Sequence, residues 1–496
     1  MTTAAAVLAG WALGLSLDAV PARARQAAIR HLTDGFGCAV AAPPHGSPAV
    51  AVALELGGPP QATIIGTRAR VGAPAAALAN GALVHALDFD DTHAGGLVHA
   101  TAPVLPVAFA VGEETGASGA EVLVAALIGY EVICRLGAAA PHGFHARGLH
   151  ATSVCGVLAA ALVAARLYGL GPRQAVHALG IAGSQAGGLL EFLSTGADTK
   201  RLHPGLAAHA GILAARLARA GATGPDTVLE GEHGLYGALL GRPGVRPAGR
   251  LGEVWEVTRI TVKPYPACQL LHAALDAARN AMTPPRDAHD LRDLRDGRGA
   301  RGPGDARDLR DPRDPHGLHD LHGLRDLRDG RGARGIGDAG DIEQVVAEVH
   351  PDAAAIVCGP GKERPRTPYE AKFSLPWSVA AMLLDGAVDV RTYERVDRPE
   401  VTALAGRIAH EVVAFPGAAA DQPGRLRVRF ADGTRVVGQV PRSAGGPDDP
   451  AAGELVRRKA LANGLSATAM AALSRLAELT EVTTLMSGLT DQEEVS

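Results

Sequence analysis

The amino-acid sequence predicts a mainly α fold with a smaller α+β portion, and three observations carry that reading. Apolar residues recur at helical spacing through the first half of the chain. From about Thr258 strand-like pieces enter, and beyond about residue 447 the helical texture returns. Ala and Gly are abundant while aromatics are few, with 8 Phe, 6 Tyr and 3 Trp. The core is therefore expected to form from small-residue helices that approach closely. At 496 residues the chain is too long for one ordinary core, so two domains are expected.

The elements follow in order. The stretch from Met1 to Ala19 lacks a basic leading region, and Gly10, Gly14 and Ser16 interrupt its apolar run. It reads as a first amphipathic helix rather than a targeting segment. Asp18 and Pro21 open a second helix with Ile29, Leu32 and Phe36 on it, and Gly35 and Gly37 are expected to loosen its end. Ser118 and Glu121 form a capping box ahead of a helix over residues 122–136. An Ala-rich helix over 152–167 stops at Gly169, and Pro172 starts the next, with Ala175, Ala178, Leu179 and Ala182 on one face. Residues 200–219 are helical, with a break expected at Pro204-Gly205. Strands are expected over 259–262 and 353–357, and a hairpin over 425–430 and 434–440 turns at Asp432-Gly433. Helices over 342–349, 375–384 and 401–412 complete the α+β block, and 451–485 is helical again.

Residues 284–340 differ in kind. The string LRDLRDGRGARG at 291–302 recurs identically at 324–335. Alternating charge with almost no aliphatics beyond Leu cannot offset the ordering entropy, so a disordered insert is expected. His316, His319 and His322 recur every three residues there, without the fixed carboxylate or thiolate partners a metal needs.

Bulk properties exclude several classes. A formal net charge of −4 leaves no basic field, so no nucleic acid partner is expected. No apolar run reaches the roughly 20 residues that span a bilayer, so no membrane is expected either. Cys38, Cys134, Cys155, Cys268 and Cys358 lie far apart, without metal-finger or redox spacing. Their odd number fits a reducing, cytoplasmic setting. No phosphate loop, GxSxG or dinucleotide fingerprint stands at a strand–helix junction, and no cysteine trio suggests an iron–sulfur cluster.

The chemistry concentrates in a few places. HALDFDDTH (residues 85–93) packs three acids, a hydroxyl and two imidazoles between apolar stretches. A solvated loop, a divalent metal site, and a buried knot compensated by partners or ligand are all open readings; the apolar flanks favour the last. His99 stands just before a proline-launched helix, where side chains face clefts. His150 opens the next helix with Thr152 and Ser153, an arrangement suited to an anion. Lys200, Arg201 and His203 precede Pro204-Gly205, and Lys263, Cys268 and His272 mark the change of texture where an interdomain cleft would fall. His99, His150, Lys200, His203, Lys263 and His272 together suit a small di- or tricarboxylate.

These strings resemble the MmgE/PrpD family, which holds 2-methylcitrate dehydratase and cis-aconitate decarboxylase. The resemblance rests on HALDFDDTH, APVLPVAFA (102–110), GYEVICRLG (129–137), ALGIAGSQAGGLLEF (178–192), TKRLHPGLAAHAG (199–211), KPYPACQLLHAALDA (263–277) and EAKFSLPWSVA (370–380). It covers nearly the whole chain apart from the insert. It implies a large all-helical domain built from both chain ends (1–258 and 448–496), with an α+β lid (259–447) between them. It further implies a homodimer, and catalysis without metal or organic cofactor. By motif, Asp88, Thr92, His99, His150, Lys200 and Lys263 correspond to pocket residues. Two departures from the decarboxylase pattern stand out: Cys268 replaces a His, and Cys358 to Pro360 stand where a pocket Tyr is expected.

The expectation is thus a cofactor-independent lyase on a di- or tricarboxylate, most like a 2-methylcitrate dehydratase. Asp88, His99, His150, Lys200 and Lys263 are the expected catalytic residues; Thr92, His203, Cys268 and His272 are expected to bind substrate; no metal is expected. The rivals are a cis-aconitate-type decarboxylase, an epimerase or isomerase of a dicarboxylate, a metal-dependent hydrolase, and a scaffold protein using the repeat as an arm.

Overall fold

The computed structural model describes residues 2–42, 48–282 and 341–489, so the repeat expected to be disordered lies outside the described residues. Helices α1 (Ala4–Gly14), α2 (Ala22–Ala41) and α3 (Pro48–Leu56) lead through a ribbon of β1 (Ala62–Thr63) and β2 (Arg70–Val71) into α4 (Ala73–His85). After β3 (Thr92–His93) come α5 (Thr101–Thr115), α6 (Gly119–Ala138), the short α7 (Gly143–Ala146), α8 (Ala151–Leu167) and α9 (Pro172–Gly183). The short α10 (Phe192–Thr195), α11 (Thr199–Arg219) and α12 (Leu235–Leu240) follow. The fold is mainly α, as expected.

Helix α8 lies at the centre, packed by α5, α6, α9 and α11. Every residue of α4 is buried, which its Ala-rich composition permits. A Cβ at Gly81 on α4 would come within 2.6 Å of the Gly205 backbone on α11, so two glycines set how closely these helices approach. That approach matters because α4 ends at His85 and α11 begins beside Lys200.

The second part begins with β4 (Ile260–Thr261) and α13 (His272–Met282). Strands β5 (Ile342–Val349), β6 (Ile408–Val412), β7 (Gly424–Phe430) and β8 (Arg435–Val440) form one sheet in the order β6-β5-β7-β8. β5 runs parallel to β6 and antiparallel to β7. α13 lies against β7 and β8, and the helix Leu375–Asp385 packs on α13. Trp377, Leu426 and Phe430 belong to this second core, whereas Ala460, Leu465 and Leu473, near the other chain end, join the helical core. Among the described residues no helix is long and apolar enough to cross a membrane.

The hairpin forms at Asp432-Gly433, where Asp432 Oδ1 accepts from the Thr434 amide at 2.8 Å. The capping box of Ser118 and Glu121 forms as well. Several local expectations are corrected. Residues 342–349 form β5, not a helix: Val345, Ala347 and Val349 are buried at alternate positions, the period of a strand. Residues 353–357 lie in the helix Pro351–Val357, not a strand, because Pro351 at its first turn and the His350 side chain cap it. The helix expected over 401–412 ends at Ala405, and the chain turns at Gly406 into β6. Gly35 and Gly37 do not loosen α2, which continues to Ala41; they let α5 and the helix Ala452–Ala462 pack closely. α11 runs unbroken through Pro204, which sits in its second turn and removes only the bond to the Lys200 carbonyl. The stretch 451–485 is helical in pieces rather than throughout.

Candidate active site

Two local features bring the chemistry together. β3 pairs with β4, Thr92 opposite Thr261 and His93 opposite Ile260. The acid-rich loop after α4 is thereby held alongside the strap that carries Lys263. The α4–α11 approach then brings Lys200 to the same loop.

Asp88 is the centre. It is fully buried and has a left-handed backbone, with φ of 51°. Its Oδ1 accepts from Lys263 Nζ at 2.7 Å and from Lys200 Nζ at 2.9 Å. Burial alone would raise the Asp88 carboxyl, but Lys200 and Lys263 hold it well below the usual range. Its Oδ2 has no partner among the described residues. The other two acids are also buried and paired: Asp90 with His85 Nδ1 at 2.9 Å, and Asp91 with His31 at 3.1 Å and the Thr101 hydroxyl at 2.5 Å. The solvated-loop reading therefore falls; the knot is compensated from within.

His99 has its Nδ1 2.9 Å from the Asp91 carbonyl and 3.3 Å from Thr92 Oγ1. A carbonyl only accepts, so Nδ1 carries the proton and Nε2 keeps its lone pair. That Nε2 lies 3.5 Å from Lys200 Nζ. Burial, then Lys200 and Lys263, push the imidazole well below its ordinary value, so it is neutral. His150 Nδ1 lies 3.0 Å from His203 Nδ1, one donating to the other. Burial and then Lys200 also push His150 well down, and burial followed by His85 lowers His203 to about 4. The Nε2 atoms of His85 and His150 are buried without partners among the described residues. Unsatisfied polar atoms clustered this way are what a polar ligand would meet.

A narrow cavity opens here. Thr92, His99, His150 and Lys200 line it together with Cys268, Gln269, Ile356 and Phe373. Of the residues singled out from sequence, Asp88, Thr92, His99, His150, Lys200 and Cys268 are thus brought together. Lys263 lies behind Asp88, with no exposed surface, and His203 reaches the site through His150. His272 is not on the cavity wall. Its Nε2 bonds the Ala267 carbonyl at 3.1 Å under the strap, and burial, then Lys263, lower it to about 3. Burial, then Asp88, also raises the Cys268 thiol, so it is a poor thiolate. Sequence reasoning missed His145, Phe192 and Phe373 on the wall, and the buried Lys372 and Lys459. Lys459 left one sign: it stands on the face of its helix that buries Val456 and Ala460.

His85, His99 and His150, or His85, Asp88, Asp90 and His99, lie near enough to one another to hold a cation. The chemistry of this donor set opposes it: Asp88 already faces two lysine ammonium groups, and Asp90 is paired to His85. A carboxylate suits the pocket better than a metal.

Comparison with known proteins bears on the family. The MmgE/PrpD N-terminal domain model matches residues 6–248, and the MmgE/PrpD C-terminal domain model matches residues 319–482. The chain is 32% identical over 287 residues to a cis-aconitate decarboxylase of Aspergillus terreus, covering 54% of this chain and 58% of that protein. It is 36% identical over 212 residues to the cis-aconitate decarboxylase of Homo sapiens, covering 41% and 43%, and 27% identical over 351 residues to that of Mus musculus, covering 68% and 60%. The matched part thus spans less than two thirds of the length of each of these relatives. Matches to both domain models of the family, over residues 6–248 and 319–482, place the chain in the MmgE/PrpD family.

Proposed function

We propose that the chain is a lyase that removes carbon dioxide from a small tricarboxylate of the cis-aconitate type, without metal or organic cofactor. One observation carries the reading: on the cavity wall, Lys200 Nζ stands 2.9 Å from Asp88 Oδ1 and 3.5 Å from the lone pair of His99 Nε2. A cation beside a neutral imidazole can bind a carboxylate and move a proton at the adjacent carbon. As the bond to the departing carboxyl breaks, its electron pair passes into the remaining conjugated carboxylate, where Lys200 stabilises it. A proton must then reach carbon. Incoming carboxylates offset the ammonium charges that depress His99, so its proton affinity rises when substrate binds. Asp88, with Lys263 behind it, holds Lys200 in place; Thr92 steadies His99; the His150–His203 pair offers a second proton site. The decarboxylase relatives support this reaction over the others.

Dehydration of 2-methylcitrate is a second reading. Cys268 stands on the wall where the decarboxylase pattern has a His, and a neutral His99 is already fit to take a C–H proton as hydroxide leaves. Purified protein incubated with cis-aconitate, 2-methylcitrate and citrate, with and without chelator, separates the two. Carbon dioxide from cis-aconitate, unaffected by chelator, is the expected result. Alkene formation from 2-methylcitrate would instead establish the dehydratase. Silence on all three would sink both, leaving an epimerase or isomerase of another dicarboxylate.

We also propose two domains, residues 1–258 with 448–496 and residues 259–447, on the support of two large apolar cores, beside a small third cluster of Phe192, Tyr369 and Phe373. A cytoplasmic homodimer completes the reading. Leu206, Leu213 and Leu217 on one face of α11 are 37–51% exposed, which suits burial against a second copy. Sedimentation should give a dimer, and Leu213→Asp with Leu217→Asp should shift it toward monomer; an unchanged dimer would exclude this face.

A further inference from the structure

Three consecutive backbone carbonyls of the Asp88 loop each accept from a different buried lysine. Lys372 Nζ donates to Leu87 O at 2.6 Å, Lys263 Nζ to Asp88 O at 3.0 Å, and Lys459 Nζ to Phe89 O. The three lysines lie far apart in sequence. Lys372 caps the helix Pro368–Ala371 in the second part of the chain, and Lys459 sits on the helix Ala452–Ala462. Both outer lysines also hold the strap: Lys372 donates to Pro266 O at 2.8 Å and Lys459 to Lys263 O at 3.1 Å. The loop and the strap are thus pinned together at two points on either side of the Lys263–Asp88 pair.

Burying an ammonium group is costly unless it is fully bonded. Lys372 and Lys459 are only 4% and 6% exposed, and neither lines the cavity. Asp34 at 2.8 Å compensates Lys459, and the Phe89 ring lies 3.8 Å from its Nζ. Among the described residues Lys372 has no carboxylate within ion-pair distance; its bonds go to the two carbonyls, with the Tyr393 ring 5.0 Å away. Burial, the largest influence on it, lowers its pKa to about 7. What both lysines hold is a loop whose Asp88 takes a left-handed backbone, a conformation that crowds the Cβ of a non-glycine residue and needs its surroundings to persist.

We propose that Lys372 and Lys459 are positioning residues: they clamp the carbonyls of residues 87–89 to the strap and so fix the Asp88 carboxylate between Lys200 and Lys263. The kinetic consequence rests on the functional reading above, but the clamp itself is measurable without substrate. Two variants of the full chain test it, Lys372→Met and the double variant Asp34→Asn with Lys459→Met, which removes both charges of the buried pair. Hydrogen exchange is followed by mass spectrometry on peptides covering 83–93, with α8 as reference. The clamp predicts exchange about tenfold faster or more in the loop, with α8 unchanged, in both variants. It also predicts kcat lower by about 10²-fold with KM within about threefold, since misplacement harms chemistry more than binding. Wild-type exchange in the loop of both variants overturns the proposal, as does acceleration equal in loop and α8. If the wild-type chain turns over none of the carboxylates, it is the functional reading that fails, and the exchange data decide the clamp alone.

Discussion

Replacing Lys200 by Ala should lower kcat by about 10²–10³-fold, the loss typical when one preorganised charge-stabilising donor is removed from a water-poor site. The reason is position. Lys200 is the lysine on the cavity wall, joined to Asp88 and within 3.5 Å of His99 Nε2. Asp88 keeps Lys263 as a partner in this variant, so the fold should survive, with a loss of about 1–3 kcal/mol for the missing charged hydrogen bond. Lys200→Arg should not restore the rate, because a planar fork cannot reproduce a compact ammonium group. Steady-state kinetics with a thermal melt check both parts, and full turnover in Lys200→Ala would remove Lys200 from the mechanism. Lys263→Ala should behave differently. From sequence, both lysines are expected to tolerate replacement without unfolding. Lys263 has no exposed surface and serves both the Asp88 carboxylate and carbonyl, so its removal should also lower the melting temperature clearly.

Asp88→Asn should be among the most destabilising single changes in the chain, by about 3–5 kcal/mol at pH 7, because it leaves two buried ammonium groups without their shared carboxylate. Its pH dependence carries a definite sign. Burial pushes the Asp88 carboxyl up, but Lys200 and Lys263 outweigh it and hold the folded value well below the unfolded one. A carboxyl depressed in the folded state takes up its proton later than in the unfolded chain. Its stabilising contribution is therefore fully present above the unfolded value near 3.9 and is lost as pH falls from there through the folded value. Denaturant melts of wild type and Asp88→Asn between pH 7 and 3 should show a large gap at neutral pH that narrows below about pH 4. A gap of constant size across that range would mean that Asp88 is not the charged centre of the site.

Much of this was legible in the residues. Helices over the first half show in the spacing of Ala and Leu, caps show at Ser118 and Pro172, and the hairpin shows at Asp432-Gly433. Each depends on neighbours within a few positions, which sequence displays directly. The misread elements are those that long-range pairing decides. IEQVVAEV at 342–349 has helical and strand readings alike, and it became β5 because β6 and β7 flank it. Gly35, Gly37 and Pro204 look like breakers, yet the helices run through them, two because neighbouring helices press close and one because it falls near a helix start.

The site divides in the same way. The sequence by itself determined the family and named the candidates Asp88, Thr92, His99, His150, Lys200, Lys263 and Cys268, because they stand in or beside the local strings that carry the resemblance. Only the tertiary structure decided which of them meet. It put Lys200 on the wall and Lys263 behind Asp88, turned His272 under the strap, and brought Lys372 and Lys459 to carbonyls at separations of 285 and 370 residues. The physical reason is that a buried charge persists only where partners converge on it, and that convergence belongs to packing rather than to spacing along the chain.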